Sequence, residues 1–177
     1  MKKLLLILLL ALGIILLTDK KVIAGVRTLE AKILLTRIKE YDHIIINEGK
    51  TNTIDPNLIR AIIWQESSGQ SDIKVFEGNP KWYSRKALYS YGFMGLTYPA
   101  AKDMGYPGEE KDLIKPEENI KYGTKYLRYQ YDRYKNLDKA LVAYNAGYWT
   151  GNLTYATGVW KKMTAIQKAI APNQNAK

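Results

Sequence analysis

Between Asp55 and Gly69 the chain carries a helix with both ends marked, and this segment constrains the fold more than any other. Asp55 is suited to cap the free amides of a first turn. Pro56 suits the first helical position, where its fixed φ helps and its missing N–H costs nothing. Gly69 accepts the left-handed backbone that stops a helix. Leu58, Ile59, Ile62 and Ile63 supply the apolar residues between. Glu66 falls in the last turn, where the negative end of the helix dipole opposes ionisation, and Ile62 and Ile63 lie four and three residues back on the same side. Both effects raise its pKa. A carboxylic acid partly protonated near neutral pH can protonate a leaving sugar oxygen, so Glu66 is the candidate catalytic acid.

The rest of the chain reads as mainly α. Thr97 caps a helix through Met104 that Gly105 ends; Pro116 opens another to about Tyr134; Leu137 to Tyr144 form a third stopped by Gly147; a last covers Tyr155 to Ile170. The stretch from Asp72 to Ser90, with Gly78 and Pro80, is irregular and has room for a short hairpin. Residues 25–50 are expected to form a linker helix, with Val26, Leu29, Ile33 and Tyr41 facing the domain's core and a break over Asn47 to Thr53, which includes Gly49. The same face would alternatively rest on a membrane surface.

Composition narrows the chemistry. The 177-residue chain has room for one sizeable core. It has no cysteine, which excludes disulfides, a thiolate nucleophile and a cysteine-linked lipid, and its one histidine, His43, excludes a histidine-based triad or a multi-histidine metal site. No metal or other cofactor is expected. The formal charge of +10 comes without any nucleic-acid motif. A basic surface of this kind suits anionic polymers in general, and no nucleic-acid partner is expected.

The start, Met1-Lys2-Lys3 followed by apolar residues from Leu4 to Leu17, has the form of an export signal. Those 14 residues fall short of the roughly 20 of a comfortable membrane span. Val22 and Ala24 sit at small-residue positions before Gly25, yet Asp19, Lys20 and Lys21 intervene, so cleavage and an uncleaved anchor both stay open. Either places the rest outside the cytoplasmic membrane. The expected organisation is a signal or anchor at 1–24, a linker helix at 25–50, the principal domain at 51–170 and a polar tail at 171–177.

Four segments occur in order: Glu66-Ser67-Ser68-Gly69, Gly92-Phe93-Met94-Gly95, Asn119-Ile120-Lys121-Tyr122-Gly123, and Ala143-Tyr144-Asn145-Ala146-Gly147. Together, over roughly residues 54–160, they resemble the lytic transglycosylase domain of the soluble-transglycosylase type, a lysozyme-like family that cleaves peptidoglycan. The resemblance implies a lysozyme-like fold and cleavage of the bond from N-acetylmuramic acid to N-acetylglucosamine without water, leaving a 1,6-anhydromuramyl end. By it Glu66 donates a proton to the glycosidic oxygen and then takes one from the muramyl C6 hydroxyl. Met94 and its neighbours line the cleft, Tyr144 and Asn145 approach Glu66, and Tyr155 directs its hydroxyl at the acid. Ser90, with Ser84 as alternative, binds the substrate's acetamido or C6 hydroxyl group.

The implied partners are glycan strands in the cell envelope, acted on by a monomer. The chain departs from the family pattern at Gly95, where glutamine is usual, and in a longer spacing from Glu66 to Gly92. No second carboxylate is required if the substrate's acetamido oxygen stabilises the anomeric cation. Asp72 and Glu77 are read as solvated loop carboxylates. Trp82 and Tyr83 are candidate sugar-stacking residues, while Tyr122, Tyr126 and Tyr129 at helical spacing read as a core stripe. A hydrolytic muramidase of the same fold and a noncatalytic peptidoglycan-binding scaffold are the competing readings.

Overall fold

The computed structural model describes residues 19–171; the Leu4–Leu17 run and the tail from 172 onward lie outside the described residues. Seven α-helices, α1 (Lys20–Arg37), α2 (Asp42–Asn52), α3 (Pro56–Ser67), α4 (Tyr98–Asp103), α5 (Pro116–Tyr134), α6 (Leu137–Ala146) and α7 (Thr154–Ile170), surround a sheet of β1 (Lys74–Gly78), β2 (Leu88–Tyr91) and β3 (Leu96–Thr97). The capping signals act where they stand. The Asp55 carboxylate accepts from the Asn57 amide at 2.7 Å, and the Asn136 side chain accepts from Lys139 N at 2.9 Å. Gly147 ends α6 in the left-handed conformation at φ +81°, its N–H bonded to the Ala143 carbonyl.

Residues 25–50 do not form one linker helix. Helix α1 already begins at Lys20, a 3-10 turn at Lys39–Tyr41 interrupts the run, and α2 carries on through Gly49 to Asn52. Gly49 is no breaker: it is buried, and a Cβ there would stand 2.8 Å from the Ile54 carbonyl oxygen, so glycine lets the chain entering α3 pass close. The break comes at Thr53, the last residue of the expected Asn47–Thr53 stretch, in the left-handed region at φ 55°. Of the residues expected to face the core, Tyr41 does pack against it, on Phe93, but the α1 residues are reversed. Ala31, Leu34 and Ile38 pack in the core, whereas Val26, Leu29 and Ile33 are exposed at 51 %, 61 % and 46 %.

One core gathers those α1 residues with Ile45, Leu58, Ile59, Ile62 and Ile63, Phe93 and Met94, Leu141, and Val159 and Ile166 of α7. A smaller cluster, Tyr91, Leu96, Ala101, Tyr106, Leu113 and Tyr122, forms between the sheet, α4 and α5. The buried Arg60 joins α3 to α2 through Asp42, 2.7 Å away. In the antiparallel sheet Phe76 pairs with Tyr89 but Gly78 pairs with Leu88, so Glu77 is the extra residue of a β-bulge. Bulges re-aim side chains, and this one lies at the rim of the cleft.

Candidate active site

Helix α3 carries Glu66 in its last turn, and the left-handed residues Ser68 and Gly69 then turn the chain away. The carboxylate lies on the wall of a cleft of about 480 Å³, shared with Glu77, Trp82, Ser90, Tyr126, Tyr144 and Asn145 among others. The Tyr155 hydroxyl, from the first turn of α7, donates a hydrogen bond to Glu66 Oε1. Burial is the main influence on Glu66 and pushes its pKa up to about 7; the Tyr155 bond and the Lys162 ammonium pull it down, and the Glu77 charge pushes it up. Burial also holds the Tyr155 and Tyr144 hydroxyls well above the ordinary phenol range. Tyr155 is therefore a fixed donor near neutral pH.

The loop Gly92–Gly95 is held against Glu66 by side chains of α3, α5 and α6. Asn119, fully buried on α5, accepts from Met94 N at 2.7 Å and donates to the carbonyls of Tyr91 and Leu113 at 2.7 and 2.9 Å. The Tyr144 hydroxyl donates to the Met94 carbonyl at 2.7 Å, and Ser67 Oγ lies 3.0 Å from the Phe93 carbonyl. A Cβ at Gly92 would stand 2.7 Å from Asn119 Cγ, and one at Gly123 would stand 2.7 Å from Met94 Sδ. The small residues of these two segments are thus explained by close packing around one clamped turn.

Residues 43–170 match the family model of the transglycosylase SLT domain. The chain belongs to this family. It is also similar to a protein of Enterobacteria phage PRD1 called a transglycosylase, with 32 % identity over 94 residues, which are 53 % of this chain and 30 % of the phage protein. The match thus spans under a third of the phage relative's length. Among solved structures it is similar to an inactive mutant of the lytic transglycosylase Slt from Pseudomonas aeruginosa, at 25 % identity and a TM-score of 0.49, over 72 % of this chain and 21 % of that one. The mainly α class expected is the class found, and the family named by the resemblance is the family matched.

Within this SLT domain the expected site residues separate into three groups. Glu66, Ser90, Tyr144 and Asn145 all reach the cleft, and Tyr155 reaches Glu66 itself. Met94 does not: its side chain is fully buried against Gly123 and Thr124, so it packs beneath the site instead of lining it. Ser90 lies on the wall but donates to Glu77 Oε1 at 2.6 Å, so its hydroxyl is engaged by protein. Ser84 and Tyr83 are not on the wall, whereas Trp82 is, 69 % exposed. The tyrosine stripe of α5 divides: Tyr122 is core, Tyr126 is cleft wall, and Tyr129 is exposed and stacked on Tyr126 with ring centroids 6.3 Å apart.

Two residues of this SLT domain have a larger part than the sequence suggested. Glu77 is not a detached loop carboxylate, because the bulge brings it onto the same wall as Glu66; a Glu-Gly pair inside an alternating strand is the signal that marks it. Gly95 has a steric reason. At φ +58° a Cβ there would lie 2.6 Å from Glu66 Oε2, so the carboxylate occupies the space a side chain at 95 would need.

Proposed function

We propose that this protein is a peptidoglycan lytic transglycosylase acting outside the cytoplasmic membrane. It cleaves the β-1,4 bond from N-acetylmuramic acid to N-acetylglucosamine and leaves a 1,6-anhydromuramyl end. The observation that carries the reading is Glu66, a half-buried carboxyl with a pKa of about 7, bonded by Tyr155 at the wall of a cleft that Tyr126 and Tyr144 also line, in an SLT-family chain.

Near neutral pH a large share of Glu66 is protonated, and its proton goes to the glycosidic oxygen as the C1–O bond breaks. The substrate's acetamido oxygen closes on C1 and holds the positive charge. Glu66, now a carboxylate accepting from Tyr155, takes the proton of the C6 hydroxyl, O6 bonds to C1, and the acetamido oxygen leaves. The acid is returned in its starting state and no water enters. Trp82 and Tyr126 offer faces for sugar rings, and Asn145, exposed at the rim, offers an amide for hydroxyls.

A hydrolytic second reading is favoured by one observation, Glu77 on the same wall as Glu66. There Glu77 would take a proton from water attacking C1, as in two-carboxylate glycosidases. Mass analysis of sacculi digested by the purified protein decides between them. Anhydro ends, lost in Glu66→Gln, are the expected result; reducing ends, lost in Glu77→Gln, establish the hydrolase, and no soluble product from either sinks both.

A further inference from the structure

Helix α1 has two apolar faces where a helix covering a single core needs one. Ala31 and Leu34 face inward and are buried. On the other side Val22, Val26, Leu29 and Ile33 stand 40 %, 51 %, 61 % and 46 % exposed. Their spacing of four, three and four residues places them in one line along the helix, about opposite Ala31. Single exposed apolar side chains need no explanation, but a continuous outward stripe on a described helix marks an interaction surface.

We infer that this outward face of α1 is a membrane-docking surface, on which the helix lies along the interfacial region of an anionic bilayer with the stripe turned into the acyl boundary. Charge is the first argument for this occupant. Lys20, Lys21, Arg27, Lys32 and Arg37 outnumber Glu30 as the only acid within the helix. On the Arg27 and Glu30 flank, Lys161 and Lys162 join them around a cavity of about 390 Å³ that Trp64 also lines. Cations beside an apolar strip, with an aromatic nearby, suit lipid headgroups of negative charge. A second copy of this chain would set the same cations against their own kind.

The path of the chain is the second argument. Asp19 is extended, at φ −65° and ψ 119°, and its carboxylate accepts from Lys21 N at 2.7 Å, so Asp19 caps α1 at its start. The apolar residues Leu4–Leu17 immediately precede α1 in sequence, so a stretch of bilayer-compatible composition lies next to the stripe. None of the described helices is itself long and apolar enough to cross a membrane. Docking would also orient the cleft. Arg37 donates to the Ser68 carbonyl at 2.9 Å, and Leu34 packs against Gly69, so α1 is braced on the turn that ends the Glu66 helix.

The absence of cysteine makes site-specific labelling direct. Full-length Leu29→Cys, Ile33→Cys and, as a control in the smaller cluster's lobe, Lys111→Cys proteins would each carry a polarity-sensitive fluorophore and be reconstituted into vesicles. Labels at 29 and 33 are expected to move to blue emission and to be quenched by lipids spin-labelled near the headgroup, while the label at 111 stays aqueous. In a vesicle-partitioning assay with unlabelled protein, phosphatidylglycerol vesicles should bind the chain about tenfold more tightly than phosphatidylcholine vesicles. Aqueous emission at both 29 and 33 in vesicle-bound protein would overturn the inference. So would disulfide-linked pairs forming efficiently through Cys introduced at 29, which would assign the stripe to a second copy.

Discussion

Replacing Gly95 by alanine tests whether the position of Glu66 depends on a missing side chain. The added Cβ would stand 2.6 Å from Oε2, 3.1 Å from Cδ and 3.2 Å from Cγ of Glu66, where ordinary contacts begin near 3.4 Å. The carboxylate must therefore retreat by roughly an ångström, and a displacement of that size at a reacting group costs about a hundredfold in rate. The backbone adds a second cost, because φ at Gly95 is +58° and an L-residue in the left-handed region loses roughly 1–2 kcal/mol. Gly95→Ala should therefore melt several degrees lower and release muropeptides about a hundredfold more slowly, with the loss in kcat more than in KM. Gly95→Gln, which restores the side chain usual in the resembling family, should be at least as impaired. Wild-type kcat in Gly95→Ala, or a gain in Gly95→Gln, would refute the steric argument.

Three further outcomes follow from the same geometry. Glu66→Gln should lose cleavage and yet be more stable than wild type above neutral pH. Burial places the folded pKa at about 7, above the ordinary value of 4.5, so stability present below 4.5 is lost as pH rises through 7; the difference is worth roughly 3 kcal/mol, and melting curves of the two proteins should converge in acid. Glu77→Gln and Lys162→Gln should shift the pH–rate profile oppositely. The first removes a charge that raises the Glu66 pKa, so activity falls off at lower pH; the second removes one that lowers it, so the fall moves to higher pH, and shifts in one common direction would contradict the assignment. Tyr155→Phe should slow turnover about tenfold and move the alkaline fall upward, since the hydroxyl now favours the ionised acid, whereas a tyrosine serving only as packing would leave the profile in place.

Much of the helical frame was legible because its boundaries are local chemistry. Asp55-Pro56, Pro116 and Gly147 each act on backbone within a few residues, and the helices begin or end there. Helix α1 was misread for a physical reason: both of its sides are apolar, and periodicity alone cannot say which one the core takes. Glu66 was visible from its place at a helix end, but the largest influence on its acidity, burial, comes from elements far along the chain. Glu77 was read as a solvated loop residue because its one-residue bulge is marked only by the glycine that follows it in the strand. Met94 was placed in the cleft because its segment is, whereas its side chain points into the core and only its backbone serves the site.

The pairing of Glu66 with Tyr155 joins residues 89 positions apart, and the partner arrives on the last helix of the described chain. Helix α7 also brings Lys162, which donates to Gln65 at 2.8 Å, and Val159 and Ile166, which seal the core behind α3. Until that helix is synthesised and docked, Glu66 is a carboxylate on an open helix end, without its hydroxyl partner and without the burial that raises its proton affinity. A nascent or C-terminally clipped chain would therefore be chemically silent. Synthesis order would itself act as a safety catch, leaving Glu66 without its partner until α7 has emerged and docked.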